Sequence, residues 1–396
     1  IVANVDEDII DSLTGGRLVG SVTSFENFAE CPLRYYLRYG VDLKEREEFT
    51  FSPVNFGVVL HAVIREVCDE IKKNGESYYL ISEEKRREMV KRSVAAITDI
   101  YQNSILKDSS RNSFMIKRME DLADRTVWAM GEQLKCGDFV PFVFEHKFNM
   151  EVGDGDRKQL MSGTIDRVDI CENGTDVYVR IIDYKTGKKD FNIVKTYYGI
   201  DIQLMVYMEA AMKLVAKMRP GKNVIPAGVF YYNISDPIVS ATTESAEEIE
   251  DKIKGELRLK GMVNSDKDIA EKMDNTGGTS LNIPVSRKAD GGFDSRRSKV
   301  MNTEQFNMLG RFVDVRAVDT ADRIAGGDIR RSPYKDGQFS SCDRCPYGAV
   351  CGFSVDLPGC NYRKLKKFDD EVLWNNIKEG VDENGKKMDT GAEECD

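Results

Sequence analysis

Two carboxylates and one amine in the middle of the chain are spaced so that they could hold a cation and hydrolyse a phosphodiester. Residues 163–169 read Gly-Thr-Ile-Asp-Arg-Val-Asp, and residues 181–187 read Ile-Ile-Asp-Tyr-Lys-Thr-Gly. Asp166 and Asp183 therefore sit on consecutive apolar runs of strand type, with Lys185 two places after the second acid. Alternate residues of a strand share a face, so Asp183 and Lys185 point the same way, while Ile165 faces opposite to Asp166. Mg²⁺ takes near-octahedral oxygen ligands at about 2.1 Å, drawn from carboxylates, water and phosphate. An ammonium beside it could orient or help deprotonate the attacking water and offset charge in the transition state. An isolated Asp-x-Lys is usually a surface ion pair; the preceding Asp166 run sets this one apart.

Other chemistry-bearing residues are scattered. His61 is one of two histidines, four places after Gly57 among apolar neighbours. Taken alone it reads as a core or helix-surface histidine; as a ligand it would suit Mg²⁺ or, more comfortably, Mn²⁺. Glu145 could point at the same cation, although an exposed strand glutamate is the simpler reading, and the adjacent His146 reads as structural. Gln203 and Tyr207 are four apart on an expected helix, so they share a face and could bind a phosphate or position the lysine. Cys342-Asp-Arg-Cys345-Pro-Tyr-Gly-Ala-Val-Cys351 packs three thiols into ten residues, the compact spacing of a metal or iron–sulfur site. Cys31, which shares the Cys-Pro pair, is one candidate fourth ligand and would close a very long loop. Cys360 competes with it, and spacing alone leaves zinc open.

These groups need a scaffold. Ser21-Val-Thr-Ser24 predicts an N-capped short helix, and an aromatic helical pattern runs on from Cys31-Pro32 to Gly40. Apolar residues at helical spacing predict further helices from about Phe56, over 89–105 and over 114–135. The period then changes. Strands are expected at Phe142–Phe148, Leu160–Ile170 and Val177–Tyr184, separated by Gly153-Asp-Gly155 and Glu172-Asn-Gly174. A helix near 200–217, a strand at Ala227–Ile234 and helices near 246–259 and 303–325 complete a mixed α/β core wrapped by helices. Residues 1–20, with Gly15-Gly16, read as a linker. Ile1 is not Met, so the sequence is expected to be part of a longer chain.

The 396 residues are 41% hydrophobic and 31% charged, with a net charge of −10, the balance of a water-soluble globular protein. No apolar run approaches a membrane span and no signal peptide is seen. Nine cysteines without a secretory signal argue against a disulfide framework and for the cytoplasm. Residues 368–396 hold ten acidic residues against three lysines. That −7 leaves −3 for all the rest, so the acidity is local and does not exclude a nucleic-acid substrate. This stretch reads as a disordered tail. Basic clusters at Arg287, Lys288, Arg296, Arg297 and Lys299, at Arg330, Arg331 and Lys335, and at Arg363, Lys364, Lys366 and Lys367 could meet phosphates, with solvated surface the simpler reading of each.

Taken in order, these pieces resemble the RecB-type branch of the PD-(D/E)XK nucleases, specifically the C-terminal nuclease domain found in AddAB-type helicase–nucleases on their AddB chain, over about residues 18–367. The matching segments are Ser21-Val-Thr-Ser-Phe-Glu-Asn-Phe-Ala-Glu-Cys31-Pro-Leu-Arg-Tyr-Tyr, Leu43-Lys-Glu-Arg46 and Gly57-Val-Val-Leu-His61. Gly-Thr-Ile-Asp166-Arg-Val-Asp, Asp183-Tyr-Lys185-Thr-Gly, Gln203-Leu-Met-Val-Tyr207, the three C-terminal cysteines and Tyr362-Arg363 follow. The resemblance implies a restriction-endonuclease-like fold within residues 21–367, its catalytic core at about 140–235. It implies a metal site of His61, Asp166, Asp183 and the Tyr184 backbone carbonyl, with Lys185 catalytic and Gln203 and Tyr207 accessory. It also implies a structural four-iron four-sulfur cluster on Cys31, Cys342, Cys345 and Cys351, joining the two ends of the domain. The expected activity is degradation of the 5′-terminated single strand at double-strand breaks, during processing for homologous recombination. The partner would be an AddA-type helicase–nuclease subunit supplying ATP-driven unwinding; no Gly-x-x-x-x-Gly-Lys-Ser/Thr loop occurs here. Two alternatives stand beside this: another RecB-type iron–sulfur exonuclease, of the CRISPR-adaptation kind, and a zinc-stapled DNA-binding module without activity.

Overall fold

The computed structural model describes residues 4–6, 9, 19–44, 53–100, 110–152, 159–240 and 244–382. The expected Gly15-Gly16 linker, the Gly153-Asp-Gly155 turn and the stretch 101–105 of the third helix lie outside these residues. The N-terminal segment is partly docked: Val5 N–H donates to the Gly327 carbonyl at 2.9 Å, and Asn4 bridges Asp328.

A mixed sheet forms the centre. Among the described residues its path runs β1 (Val19–Ser21), β3 (Gln159–Asn173), β4 (Asp176–Lys185), β5 (Asn223–Asn233), β6 (Lys260–Asn264) and β7 (Val300–Met301), and β2 (Val140–Val152) also pairs with β3. β2 lies antiparallel to β3 from Gln159 to Ile170. It occupies one edge of β3, so β1 and β4 must share the other, β1 at 160–162 and β4 at 167–173. Residues 163–166 are left without a strand partner on that side. β4 meanwhile continues beside β5 through Asp183, Tyr184 and Lys185. The sheet thus forks, with Asp166 on one prong and Asp183 on the other.

Helices cover both faces. On one, α2 (Pro53–Lys73), α3 (Glu83–Ile100) and α4 (Ser110–Lys135) bury Leu60, Ile64, Val67, Val90 and Val127 against Tyr178, Ile182 and Phe230. On the other lie α1 (Val22–Glu30), α5 (Gln203–Met218), α6 (Thr303–Ala325) and α7 (Asp370–Asp382), whose Phe25, Leu204, Phe312 and Leu373 pack with Val179, Ile181 and Val229. The period-2 pattern of β4 sends Tyr178, Ile182 and Tyr184 to the first core and Val177, Val179 and Ile181 to the second.

Several expectations change. α1 begins as expected, with Ser21 Oγ accepting from Ser24 N–H at 3.1 Å. It stops at Cys31, because Pro32 cannot donate to its last turn. Instead of one aromatic helix, Pro32–Tyr35 forms a short helix and Tyr36–Gly40 a π-helical turn. The acidic segment 368–396 is not disordered throughout. Residues 370–382 form α7, whose Leu373 and Ile377 are buried; its charges lie on the outer face, a segregation that a composition count does not register. Residues 383–396 lie outside the described set. No helix among the described residues is long and apolar enough to cross a membrane.

Candidate active site

At the fork, Asp166 takes the place of the missing strand partner. Its Oδ2 accepts a 2.6 Å hydrogen bond from the Tyr184 N–H, across from β3 to β4. This bond ties the two prongs together at Asp166 and the Tyr184 backbone, although the expected ligand Asp183 is not in the close set that His61 forms. From α2, His61 Nδ1 lies 3.5 Å from Asp166 Oδ1 and 3.9 Å from Glu145 Oε1. His61, Glu145 and Asp166 can each place a ligand atom within 4.8 Å of the others.

Glu145 is therefore not a free surface glutamate; it faces the acids. Its φ of +47° is left-handed, a conformation non-glycine residues adopt only when their surroundings hold them there. A register shift in β2 between Pro141 and Val143 lies just before it. Such irregularities re-aim a side chain, and period-2 reasoning cannot foresee them. His146 pairs with Ile165 in the regular ladder.

The second prong carries Lys185. Its Nζ is 2.6 Å from Asp183 Oδ2 and donates to Gln203 Oε1 at 2.9 Å. Gln203 Nε2 in turn donates to the Tyr207 hydroxyl at 2.9 Å. The Tyr207 ring lies over Gly163, where a Cβ would come within 3.0 Å of it and 2.7 Å of Phe148; the glycine of the first motif lets the accessory helix approach. Burial, reinforced by Asp166 and opposed by Lys185, pushes the Asp183 carboxyl up to about 6. Burial and Asp166 also raise Glu145, against the pull of His61. Burial works to lower the His61 pKa, but the hydrogen bond and charge of Asp166, with Asp183 and Glu145 behind, carry it above its ordinary value. Asp183 and Glu145, raised by burial and by the charge of Asp166, form with the imidazole an oxygen-rich donor set that fits a divalent cation.

Sequence reasoning missed a buried network beneath this site. Asp169 accepts from Arg167 Nε at 2.7 Å and Nη2 at 2.6 Å, and from Arg180 Nε at 2.8 Å. All three are fully enclosed, and they hold β3 to β4 just below the fork. Alternation of Asp166, Arg167 and Asp169 could have signalled two faces with different roles. The basic clusters are partly structural as well. Arg287 donates to the carbonyls of Ala270 and Asp274, Arg330 to Asp328, and Arg363 to the Ala29 carbonyl.

A second assembly lies where the chain ends meet. Cys31, Cys342, Cys345 and Cys351 line one pocket with Leu37, Pro333, Tyr347 and Phe353; Cys360 is not among its walls. Leu33 N–H donates to the Arg330 carbonyl at 3.2 Å, and Ser341 Oγ to that of Glu30 at 3.3 Å. Burial raises the thiols of Cys31, Cys342 and Cys351. Four thiols around one pocket form a donor set for a metal ion or an iron–sulfur cluster.

Comparison with known proteins gives the same direction. The B subunit of the ATP-dependent helicase/deoxyribonuclease of Lachnoclostridium phytofermentans is 33% identical over 399 residues, covering 98% of this chain and 34% of the relative. The same-named protein of a Thermoanaerobacter species is 33% identical over 380 residues, covering 93% of this chain and 33% of its own. That of Clostridium acetobutylicum is 34% identical over 391 residues, with 96% and 34% covered. The chain thus spans about a third of the length of these relatives. Residues 20–352 match the family described as the PD-(D/E)XK nuclease superfamily, and with the forked sheet and its acids in view, the chain belongs to that superfamily.

Proposed function

We propose that this chain is a metal-dependent deoxyribonuclease domain of an AddAB-type helicase–nuclease, acting on the 5′-terminated single strand during end processing for recombination in the cytoplasm. The observation that supports the reading is that His61, Glu145 and Asp166 bring ligand atoms mutually within 4.8 Å at the fork of the sheet, with the Asp183–Lys185 pair on the adjoining prong. His61, Asp166, Asp183 and the Tyr184 carbonyl would hold Mg²⁺ or Mn²⁺, with Glu145 on the same side. The cation, when bound, supplies charge stabilisation at phosphorus and a more acidic water. Lys185, fixed between Asp183 and Gln203, orients that water and offsets charge developing on the phosphoryl oxygens. Gln203 and Tyr207 keep the amine there. The four cysteines, which line one pocket, would carry a four-iron four-sulfur cluster with a structural role. The relatives are named as one component of an ATP-dependent enzyme, which supports a partner chain, here an AddA-type helicase–nuclease.

The deciding experiment uses single-stranded DNA labelled at either end, with Mg²⁺, Mn²⁺ or a chelator. Metal-dependent cleavage is expected, and release of label from the 5′ end would match the proposed strand. Binding without cleavage under every metal would instead leave a DNA-binding module.

A further inference from the structure

We propose that Glu26 is a positioning residue of the nuclease site: its carboxylate caps the helix bearing Gln203, and so makes the placement of Lys185 depend on the cysteine-bearing N-terminal helix. The inference rests on the function proposed above. Glu26 lies on α1, five residues before Cys31. Its Oε1 accepts from Ile202 N–H at 2.9 Å and Gln203 N–H at 3.0 Å, across 176 residues of sequence.

α5 has no cap of its own. Its N-cap is Ile202, which offers no side-chain oxygen, so the first amides of the helix would otherwise lack partners. An anion at a helix N-terminus is also favoured by the aligned peptide dipoles. A serine or aspartate at position 202 would satisfy the same groups locally. Drawing the cap from α1 instead ties the start of α5 to a distant element. The first residue of that helix is Gln203, whose Oε1 receives Lys185 Nζ. From the carboxylate to the amine there is one intervening residue.

A charged network lies near Glu26. Lys189 Nζ lies 3.0 Å from Asp201 Oδ1, which also accepts from the Tyr231 hydroxyl at 2.7 Å. Burial raises the Glu26 carboxyl to about 7, with Lys189 opposing and Asp201 adding to the rise. At the far end of α1, Cys31 begins the pocket shared with Cys342, Cys345 and Cys351. A shift of that pocket would move Glu26 as a rigid extension of α1.

The test compares Glu26→Ala, Glu26→Gln and Glu26→Asp in the full chain, each alone and with Gln203→Ala. Steady-state cleavage of labelled single-stranded DNA is read at saturating Mg²⁺, giving kcat and KM, with amide hydrogen exchange at residues 202 and 203. Loss of the cap in Glu26→Ala should lower kcat about tenfold, with KM within about twofold. Glu26→Gln keeps Oε1 and should recover most of the rate, whereas Glu26→Asp, charged but a methylene short, should resemble Ala. In the Gln203→Ala background Glu26→Ala should add almost nothing, since both act through one amine. Exchange at 202 and 203 should quicken in the Ala and Asp variants and stay slow in Gln. Wild-type kcat in Glu26→Ala or Glu26→Asp, a fully multiplicative double variant, or Gln as slow as Ala would overturn the proposal. Unchanged exchange at 202 and 203 would overturn it even if the wild-type chain cut no DNA, a result that would count separately against the nuclease reading.

Discussion

Lys185 is held by Asp183 at 2.6 Å, by Gln203 at 2.9 Å, and over the Tyr231 ring at 5.6 Å. Its amine therefore has little freedom, which is what a group aimed at a developing charge requires. Replacing Lys185 with Ala should slow single-turnover cleavage by about 10²-fold or more, with the thermal midpoint little changed. Tyr207→Phe removes only the acceptor of the Gln203 amide. A loss near 1 kcal/mol predicts about a fivefold slower reaction, measurable in the same assay. Asp169 does a different job from its motif neighbour Asp166. Asp169→Ala would leave Arg167 and Arg180 buried together without a counter-charge, at a cost of about 3–5 kcal/mol in urea unfolding. Activity in that variant should fall with the folded fraction. Unchanged stability would mean the two arginines find another partner.

Among the elements, most long ones and the capped α1 were legible, and the shortest strands were not. α2, α4, α5, α6 and β2 to β5 have enough residues to show a period, and their observed spans overlap the expected ones. β1, β6 and β7 have three, five and two residues, too few for alternation to register. Yet β1 ends at residue 162 of β3 and leaves Asp166 without a strand partner on that side among the described residues, so a short strand shapes the site. α7 was hidden by its charge. Leu373 and Ile377 lie one turn apart and face the second core. Leu373→Ala or Ile377→Ala should each cost about 2–4 kcal/mol in urea unfolding, where a disordered tail would show no effect.

Across the whole molecule, the two ends of the domain meet at the cysteine pocket. Cys31 and Cys342 are separated by more than three hundred residues, and joining them restricts the unfolded chain over that entire loop. Cys345→Ser should abolish broad absorption near about 400 nm and lower the iron content. A lower thermal midpoint should accompany this, with cleavage falling in parallel. A colourless wild-type protein carrying stoichiometric zinc would remove the cluster from the proposal.

Residue types and spacing pointed to Asp166, Asp183 and Lys185 and to the compact Cys342–Cys351 run, because these motifs keep short local spacings, whereas Gln203, Tyr207 and Cys31 drew their weight from the order of motifs along the whole chain. The sequence offered Glu145 only beside the simpler reading of an exposed strand glutamate; its inward turn, Glu26 and the Arg167–Asp169–Arg180 network became visible only in three dimensions. Glu145 is turned inward by a left-handed residue in an irregular strand, and Glu26 acts on amides 176 residues away. Local spacing encodes which face a side chain takes. It does not encode where two strands part, or which distant helix will supply a missing cap, since those depend on how the whole sheet and its helices close around one another.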